Sequence, residues 1–230
     1  MKQIRPDLYA IRGWFGLVHL LVQAGELILM DSGFIGDFRR VQQAIQQLGR
    51  QPSDLKAILL THGHLDHTMN AARLQQWSGA KVYAPTGDEQ HVRGCYPYRG
   101  VARGCGLLEA WGRAVVGYEP PRVDVWMHEN DELPFWGGLR VVSLPGHTVG
   151  HCGFYSDSKG VFFVGDLFAF SWGVVFPPGL FNTNTAQIKE SLLKTNQFAV
   201  KLFVPAHYFW LDETGVGQVR DRAAKISKRR

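Results

Sequence analysis

The sequence predicts an α/β fold, and three observations carry that expectation. Short apolar runs of strand length recur along the chain, punctuated by Gly and Pro. Between them lie stretches whose apolar residues repeat at helical spacing. The 230 residues, 45% hydrophobic and 20% charged, are enough to fill one layered core.

Taken in order, the runs 8–12, 17–23 and 27–31 predict three antiparallel strands, with Gly25-Glu26 as the tight turn between the last two. A helix over 38–48 places Phe38, Val41, Ile45 and Leu48 on one face, and Gly49 and then Pro52 end it. The strand 56–60, a helix over 66–78 ended by Gly79 and the strand 81–84 follow. Later runs at 123–128, 139–144, 153–156, 161–164 and 202–204 are expected to build a second sheet. Helices over 185–195, where Asn184 and Thr185 offer N-cap oxygens, and over 215–227 close the pattern. No internal repeat or low-complexity linker interrupts it.

The chemistry is concentrated in Thr61-His62-Gly63-His64-Leu65-Asp66-His67, directly after the apolar Ala57-Ile58-Leu59-Leu60. Imidazole nitrogen and carboxylate oxygen are the donors that zinc and similar divalent metals take. Three imidazoles and one carboxylate this close are too crowded for one tetrahedral ion, so two metals sharing the segment is the economical reading. Further donors stand at the ends of other apolar runs: His147 in Leu144-Pro145-Gly146-His147, Asp166 after Val161-Phe162-Phe163-Val164-Gly165, and His207 after Leu202-Phe203-Val204-Pro205-Ala206. Strand ends are where sheet-based enzymes keep their reactive groups.

The ordered set His62, His64, Asp66, His67, His147, Asp166 and His207 resembles the metallo-β-lactamase superfamily of hydrolases, and the match runs nearly the whole chain, from the first strands to His207. Asp31-Ser32-Gly33 falls where that family keeps an aspartate supporting the ligands. The resemblance, more than the periodicity, implies the αββα four-layer sandwich: two mixed sheets face to face with helices outside, as a single domain over 1–230. It implies His62, His64 and His147 on one metal, Asp66, His67 and His207 on a second, and Asp166 bridging them. A water held between two cations about 3.5–4 Å apart ionises near neutral pH and becomes the nucleophile. Asp66 would orient it as the catalytic carboxylate. Zinc, two ions per chain, is the expected cofactor, with iron or manganese as the other metals such ligands accept.

Departures from neighbouring branches narrow the expectation. His64 stands where flavodiiron oxidoreductases carry glutamate, and Asp166 stands where one major branch of true β-lactamases has cysteine. The set is similar to that of glyoxalase-II-type thioesterases and acyl homoserine lactonases, which implies hydrolysis of an ester, thioester or lactone of a small, partly apolar substrate. The runner-up is an iron persulfide dioxygenase; β-lactamase, phosphodiesterase and non-catalytic readings rank lower. Only 23 residues follow His207, which leaves no room for a glutathione-binding helical domain and weighs against a glutathione thioester.

Other features bound partners and compartment. No run approaches the ~20 apolar residues of a membrane span, so a cytoplasmic protein acting on a small molecule, with no membrane partner, is expected. Three cysteines, Cys95, Cys105 and Cys152, leave one unpaired in any disulfide scheme and suit a reducing compartment. Net charge is +5, partly from the basic end 220–230, but no aromatic interleaves those charges and no nucleic-acid partner is expected. Substrate choice is expected to lie in two additions to the core. One is a lid-like insertion at about 88–121, containing Cys95-Tyr96-Pro97-Tyr98-Arg99-Gly100 and a helix over 107–116. The other is the aromatic stretch from Phe168 through Trp172 to Phe181, which suits an acyl pocket, a homodimer contact or core packing. The resemblance implies that the turn holding Trp14 and Phe15 overhangs the metals, and if exposed the two would make an apolar flap over substrate. His19, His91 and His128 read as surface or packing histidines, and His151 as a residue behind the ligands.

Overall fold

In the computed structural model, which describes residues 1–95, 98, 103–170, 173–207 and 213–228, the first seven strands lie side by side in sequence order. They are β1 (Lys2–Arg5), β2 (Leu8–Arg12), β3 (Leu17–Gln23), β4 (Glu26–Met30), β5 (Leu55–Leu59), β6 (Lys81–Pro85) and β7 (Val123–Met127). β1 to β4 are antiparallel, and β4 to β7 are parallel, so the sheet is mixed. Parallel neighbours need crossovers, which α1 (Asp37–Gln47), α3 (Ala71–Ser78) and α5 (Arg103–Val116) supply. This sheet and its helices form one unit, residues 1–97 with 106–127. Leu20, Leu29, Ile58 and Val82 from the strands pack with Val41, Ile45 and Leu74 from the helices to make its core.

Three sequence expectations shift here. Gln23 pairs with Glu26, so the tight turn is Ala24-Gly25, both at positive φ (47° and 89°), and Glu26 belongs to the strand. The helix expected over 66–78 is two helices, α2 (Leu65–Thr68) and α3, because Asn70 turns its side chain to the carbonyls of Ser32 and Phe34. The strand expected at 123–128 in the second sheet is β7, at the edge of the first. The Asp124 carboxylate holds it there, accepting from the Val82 N–H and from Gln75. Its residues are mostly half-buried, so apolar pattern alone does not choose a sheet for it.

Residues 98–105 with 128–230 form the other unit. Its sheet runs β14 (Leu202–Pro205), β11 (Val161–Gly165), β10 (Cys152–Ser156), β9 (Leu139–Ser143), β8 (Glu132–Leu133), and only the β11/β14 pair is parallel. A short hairpin, β12 (Ala169–Phe170) with β13 (Val174–Val175), follows β11. α6 (Thr185–Lys194) begins as expected, with Asn184 Oδ1 accepting from the N–H groups of Ala186 and Gln187. Phe162, Phe168, Phe203 and Leu192 make the core with Val219 and Ala223 of α7 (Glu213–Ser227). Among the described residues no helix is long and apolar enough to cross a membrane.

Candidate functional site

The loop after β5 brings the first four candidate donors together. Chain direction changes at Gly63, and α2 starts at once with His64 as its N-cap residue, so Asp66 and His67 occupy its only turn. His62 Nε2 and His64 Nδ1 face each other at 3.1 Å, the His62 and His67 rings lie 4.0 Å apart, and His67 Nε2 is 3.7 Å from Asp66 Oδ2. All three imidazoles are buried, whereas Asp66 is half-exposed.

What stands behind each ring decides which nitrogen it presents. Asp31 Oδ2 accepts from His67 Nδ1 at 2.9 Å, which leaves the Nε2 lone pair for a ligand. The Thr61 hydroxyl donates to Asp31 and accepts from His62 Nδ1 at 3.0 Å, so His62 also presents Nε2. Asp31 thus fixes two rings, and it takes the Thr61 N–H as well. It adopts φ 59°, a left-handed conformation that Asp tolerates better than most residues. The support expected of Asp31 is present; Thr61, which shares it, has no signal in the sequence.

The other three candidate donors meet around Asp166. Its Oδ2 lies 3.3 Å from His147 Nε2 and 3.0 Å from His207 Nε2. His147 Nδ1 donates to Asn182 Oδ1 at 3.0 Å, again leaving Nε2 for a ligand. His151 is fully buried: its Nε2 accepts from the Asp166 backbone N–H and its Nδ1 donates to Leu144 O, both at 2.9 Å. The role expected of His151, behind a ligand, is therefore held through Asp166. Asn182, two residues before the recognisable cap Asn184, is a partner that sequence reasoning missed.

The insertion does something the sequence did not suggest. Glu109 and Arg113 of α5 point inward, and the apolar Leu107, Leu108, Trp111 and Val115 point to solvent, Trp111 being 69% exposed. Glu109 Oε1 accepts from the Leu65 N–H at 2.8 Å, Arg113 donates to Gly63 O, and Asp88 Oδ2 accepts from the Gly63 N–H at 2.9 Å. His91 Nε2 meets Glu109 Oε2 at 2.9 Å, correcting its reading as a mere packing histidine. Burial would raise the Glu109 carboxyl, but the His91 hydrogen bond and the charges of His64, His91 and Arg113 outweigh it and hold Glu109 far below the usual carboxylate range. An acidic and a basic residue four apart, the only charged residues after Arg103 in the helix, were the available clue.

The remaining candidates divide plainly. Trp14 and Phe15 are 75% and 61% exposed, the condition set for an apolar flap. His19 is buried in β3, and His128 is exposed, 3.8 Å from Asp131. Phe168 is core, and Phe170 and Phe176 pack against it, so packing accounts for those aromatics; Ser171 and Trp172 lie outside the described residues. Of the 95–100 motif, Cys95 is exposed, Tyr98 is buried, and Tyr96, Pro97, Arg99 and Gly100 lie outside the described residues. Cys95, Cys105 and Cys152 form no disulfide.

Comparison with known proteins places this geometry. The model of the metallo-beta-lactamase superfamily matches residues 11–207, a span that holds all seven candidate donors. The chain is 31% identical over 173 residues to the hydroxyacylglutathione hydrolase GloC of Haemophilus influenzae, covering 73% of this chain and 74% of that protein. It is 30% identical over 201 residues to a hydroxyacylglutathione hydrolase of Methylobacillus flagellatus, covering 86% of this chain and 65% of that protein. Among solved structures, a metallo-beta-lactamase family protein of Thermus thermophilus superposes with a TM-score of 0.75 at 21% identity, over 99% of this chain and 81% of that one. BJP-1, a subclass B3 metallo-beta-lactamase of Bradyrhizobium japonicum, gives 0.70 at 19% identity, over 99% and 92%. These superpositions speak to the fold: α/β, with mixed sheets and flanking helices.

Proposed function

Because this chain belongs to the metallo-beta-lactamase superfamily, we propose that its two donor sets form one dinuclear metal centre that hydrolyses a small thioester. His62, His64 and His147 hold one ion, Asp66, His67 and His207 the other, and Asp166 serves both. The observation that carries the reading is the set of fixed imidazoles: His62, His67 and His147 each have Nδ1 committed to an oxygen, so each offers Nε2. Buried rings prepared in this way, crowded and neutral, suit a cation.

Bound there, divalent zinc supplies Lewis acidity and makes a nucleophile of water near neutral pH. The chain's own residues do the rest. Asp66, half-exposed beside His67, orients the attacking water by accepting one of its protons in a hydrogen bond. Asp31, Asn182 and His151 keep the donors from reorganising during the reaction, which is where preorganised sites gain most of their advantage. The thioester class follows the hydroxyacylglutathione hydrolase relatives, against the expectation drawn from the 23 residues after His207; esters and lactones share the acyl chemistry.

The test is metal analysis of the purified protein together with a panel of hydroxyacylglutathione thioesters, simple esters and lactones. About two metals per active chain, with the thioester turned over fastest, is the expected result. Fewer than two metals per active chain, or turnover surviving His62→Ala and Asp166→Asn, overturns it.

A further inference from the structure

A cleft of about 650 Å³ opens between α1, the turn 49–52 and α3, a volume within the range of small-molecule sites. Arg39, Gln42, Gln43 and Gln46 line it from one stripe of α1, Arg50 from the turn and Trp77 from α3. The turn leads into β5 and the candidate metal donors follow the other end of that strand, so the cleft and the ligand loop lie at opposite ends of β5. The side chains packed on that loop, His91 of α4 (Glu89–Val92) and Arg113 of α5 among them, take no part in the cleft.

What the cleft offers is donors without acids. From Phe38 to Ser53 the chain has three arginines and five glutamines and no Asp or Glu. The carboxylates at either end of this stretch are committed: Asp37 to Arg40 at 3.0 Å and to the Phe34 N–H at 2.8 Å, and Asp54 to the Gln51 N–H at 2.9 Å. Among the described residues, Arg39 and Arg50 have no carboxylate partner. The last carbonyls of α1, which would repel an anion, are already capped: those of Ala44, Gln46 and Ile45 accept from the N–H groups of Leu48, Gly49 and Arg50 at 3.2, 2.9 and 3.0 Å. Trp77 is half-buried and meets Phe38 edge to face, 6.2 Å between ring centroids, so it stands as a fixed wall.

We propose that this cleft binds a small phosphate monoester that carries a flat ring. Arg39 and Arg50 take the phosphate, because a guanidinium fork matches phosphate oxygens and a monoester charge of about −2 at pH 7 answers two unpaired cations. The carboxamides of Gln42, Gln43 and Gln46, donors and acceptors both, serve the polar edges of the ligand. Trp77 takes the face of the ring. A monocarboxylate would leave one arginine unanswered, and a ligand without a ring would leave the indole unused. Nothing in this site depends on the dinuclear reading above.

Titration calorimetry of the full chain with adenosine 5′-monophosphate, inorganic phosphate and adenosine tests this, on protein as purified and again after metal removal. The nucleotide should bind once per chain, more tightly than phosphate or adenosine, and with the same affinity in both preparations. Arg39→Gln and Arg50→Gln should each weaken nucleotide binding by about 10-fold or more, the equivalent of one hydrogen bond to a charged group. Trp77→Leu should weaken the nucleotide by about threefold or more and leave phosphate unchanged. No saturable nucleotide binding, binding that appears only with metal present, adenosine bound as tightly as the nucleotide, or an affinity unchanged in a folded Arg39→Gln/Arg50→Gln variant overturns the proposal. Should that double variant fail to fold, wild type decides through salt. An affinity that falls steeply as sodium chloride is raised supports the two-arginine site, and a salt-independent one overturns it.

Discussion

The two donor sets solve the same problem in opposite ways. In one, four candidate donors come from six consecutive residues of a single loop, and apart from Thr61 what steadies them comes from elsewhere: Asp31 after β4, Asp88 and His91 after β6, Glu109 and Arg113 from α5. In the other, His147, Asp166 and His207 each leave a different strand end, and the sheet itself supplies the frame, with Asn182 and His151 as trimming. Clustering donors in sequence saves nothing in structure: a Gly-containing loop has no rigidity of its own and must be clamped by charged groups. Dispersed donors inherit rigidity from backbone ladders and need only neutral partners.

If that contrast is right, removing a support should hurt the loop far more than the strand ends. Asp31→Ala is the most damaging case. It strands three buried donors, the Thr61 N–H, the Thr61 hydroxyl and His67 Nδ1, and places Ala at a φ of 59°. Each of the three lost buried partners costs about 1–3 kcal/mol, so a loss of at least about 3 kcal/mol in urea unfolding is expected, with metal affinity down by about 100-fold. An effect under about 1 kcal/mol would mean the loop is steadied by something other than Asp31.

Gly63→Ala probes the clamp from the other side. A Cβ there would lie 2.6 Å from both Cβ and Cγ of His91, atoms next to the backbone that cannot swing away. Overpacking of this kind costs about 1–3 kcal/mol, and displacement of His91 would carry Glu109 with it. Thermal melts and metal content of the variant should fall together; a normal melt with normal metal content would show that the loop and α5 are not rigidly joined.

The residues of this comparison also mark the limit of what sequence reveals. The seven donors announce themselves by type, density and position after apolar runs. Most strands and helices are legible within a residue or two, since five-residue apolar runs and 3.6-residue spacing are strong signals. The supports are not. Thr61 and Asn182 are neutral polar residues of a kind found in any loop, and nothing local marks them. Glu109 and Arg113 invert the usual rule, being buried while Leu107 and Trp111 face solvent, so an amphipathic reading of α5 turns it the wrong way round. Asn70, which splits the expected helix over 66–78, acts through Ser32 and Phe34 far upstream, a tertiary cause with no local trace.

Acid probes the unit that carries the loop by a different route. Burial pushes His19, in β3, down to about 3 from an ordinary 6.5. The unfolded chain takes up that proton near pH 6.5 and the folded one does not until about 3, so the unfolded state binds more protons in between. Stability is therefore complete above about 6.5 and lost as pH falls, by about 2 kcal/mol between pH 7 and 5. Urea unfolding of metal-depleted protein should show this loss in wild type and a shallower one in His19→Phe. The histidines proposed as metal ligands are common to both proteins and cancel in the difference. Parallel pH profiles would remove His19 as a cause.

Asn182→Ala should have the smallest effect, and for that reason discriminates best. It removes the acceptor from His147 Nδ1 and a donor to Pro177 O, both neutral hydrogen bonds. Bonds to a charged acceptor such as Asp31 are roughly twice as strong. The imidazole of His147 is meanwhile held by a turn between two paired strands, β9 and β10. Metal affinity should drop by about 10-fold, at the low end of what such partners contribute, with unfolding changed by about 1 kcal/mol. A loss as large as that of Asp31→Ala would mean that strand ends give His147 no rigidity of their own. The opposition between a clamped loop and a self-supporting sheet would then collapse into one rule, in which every imidazole depends equally on the oxygen behind it.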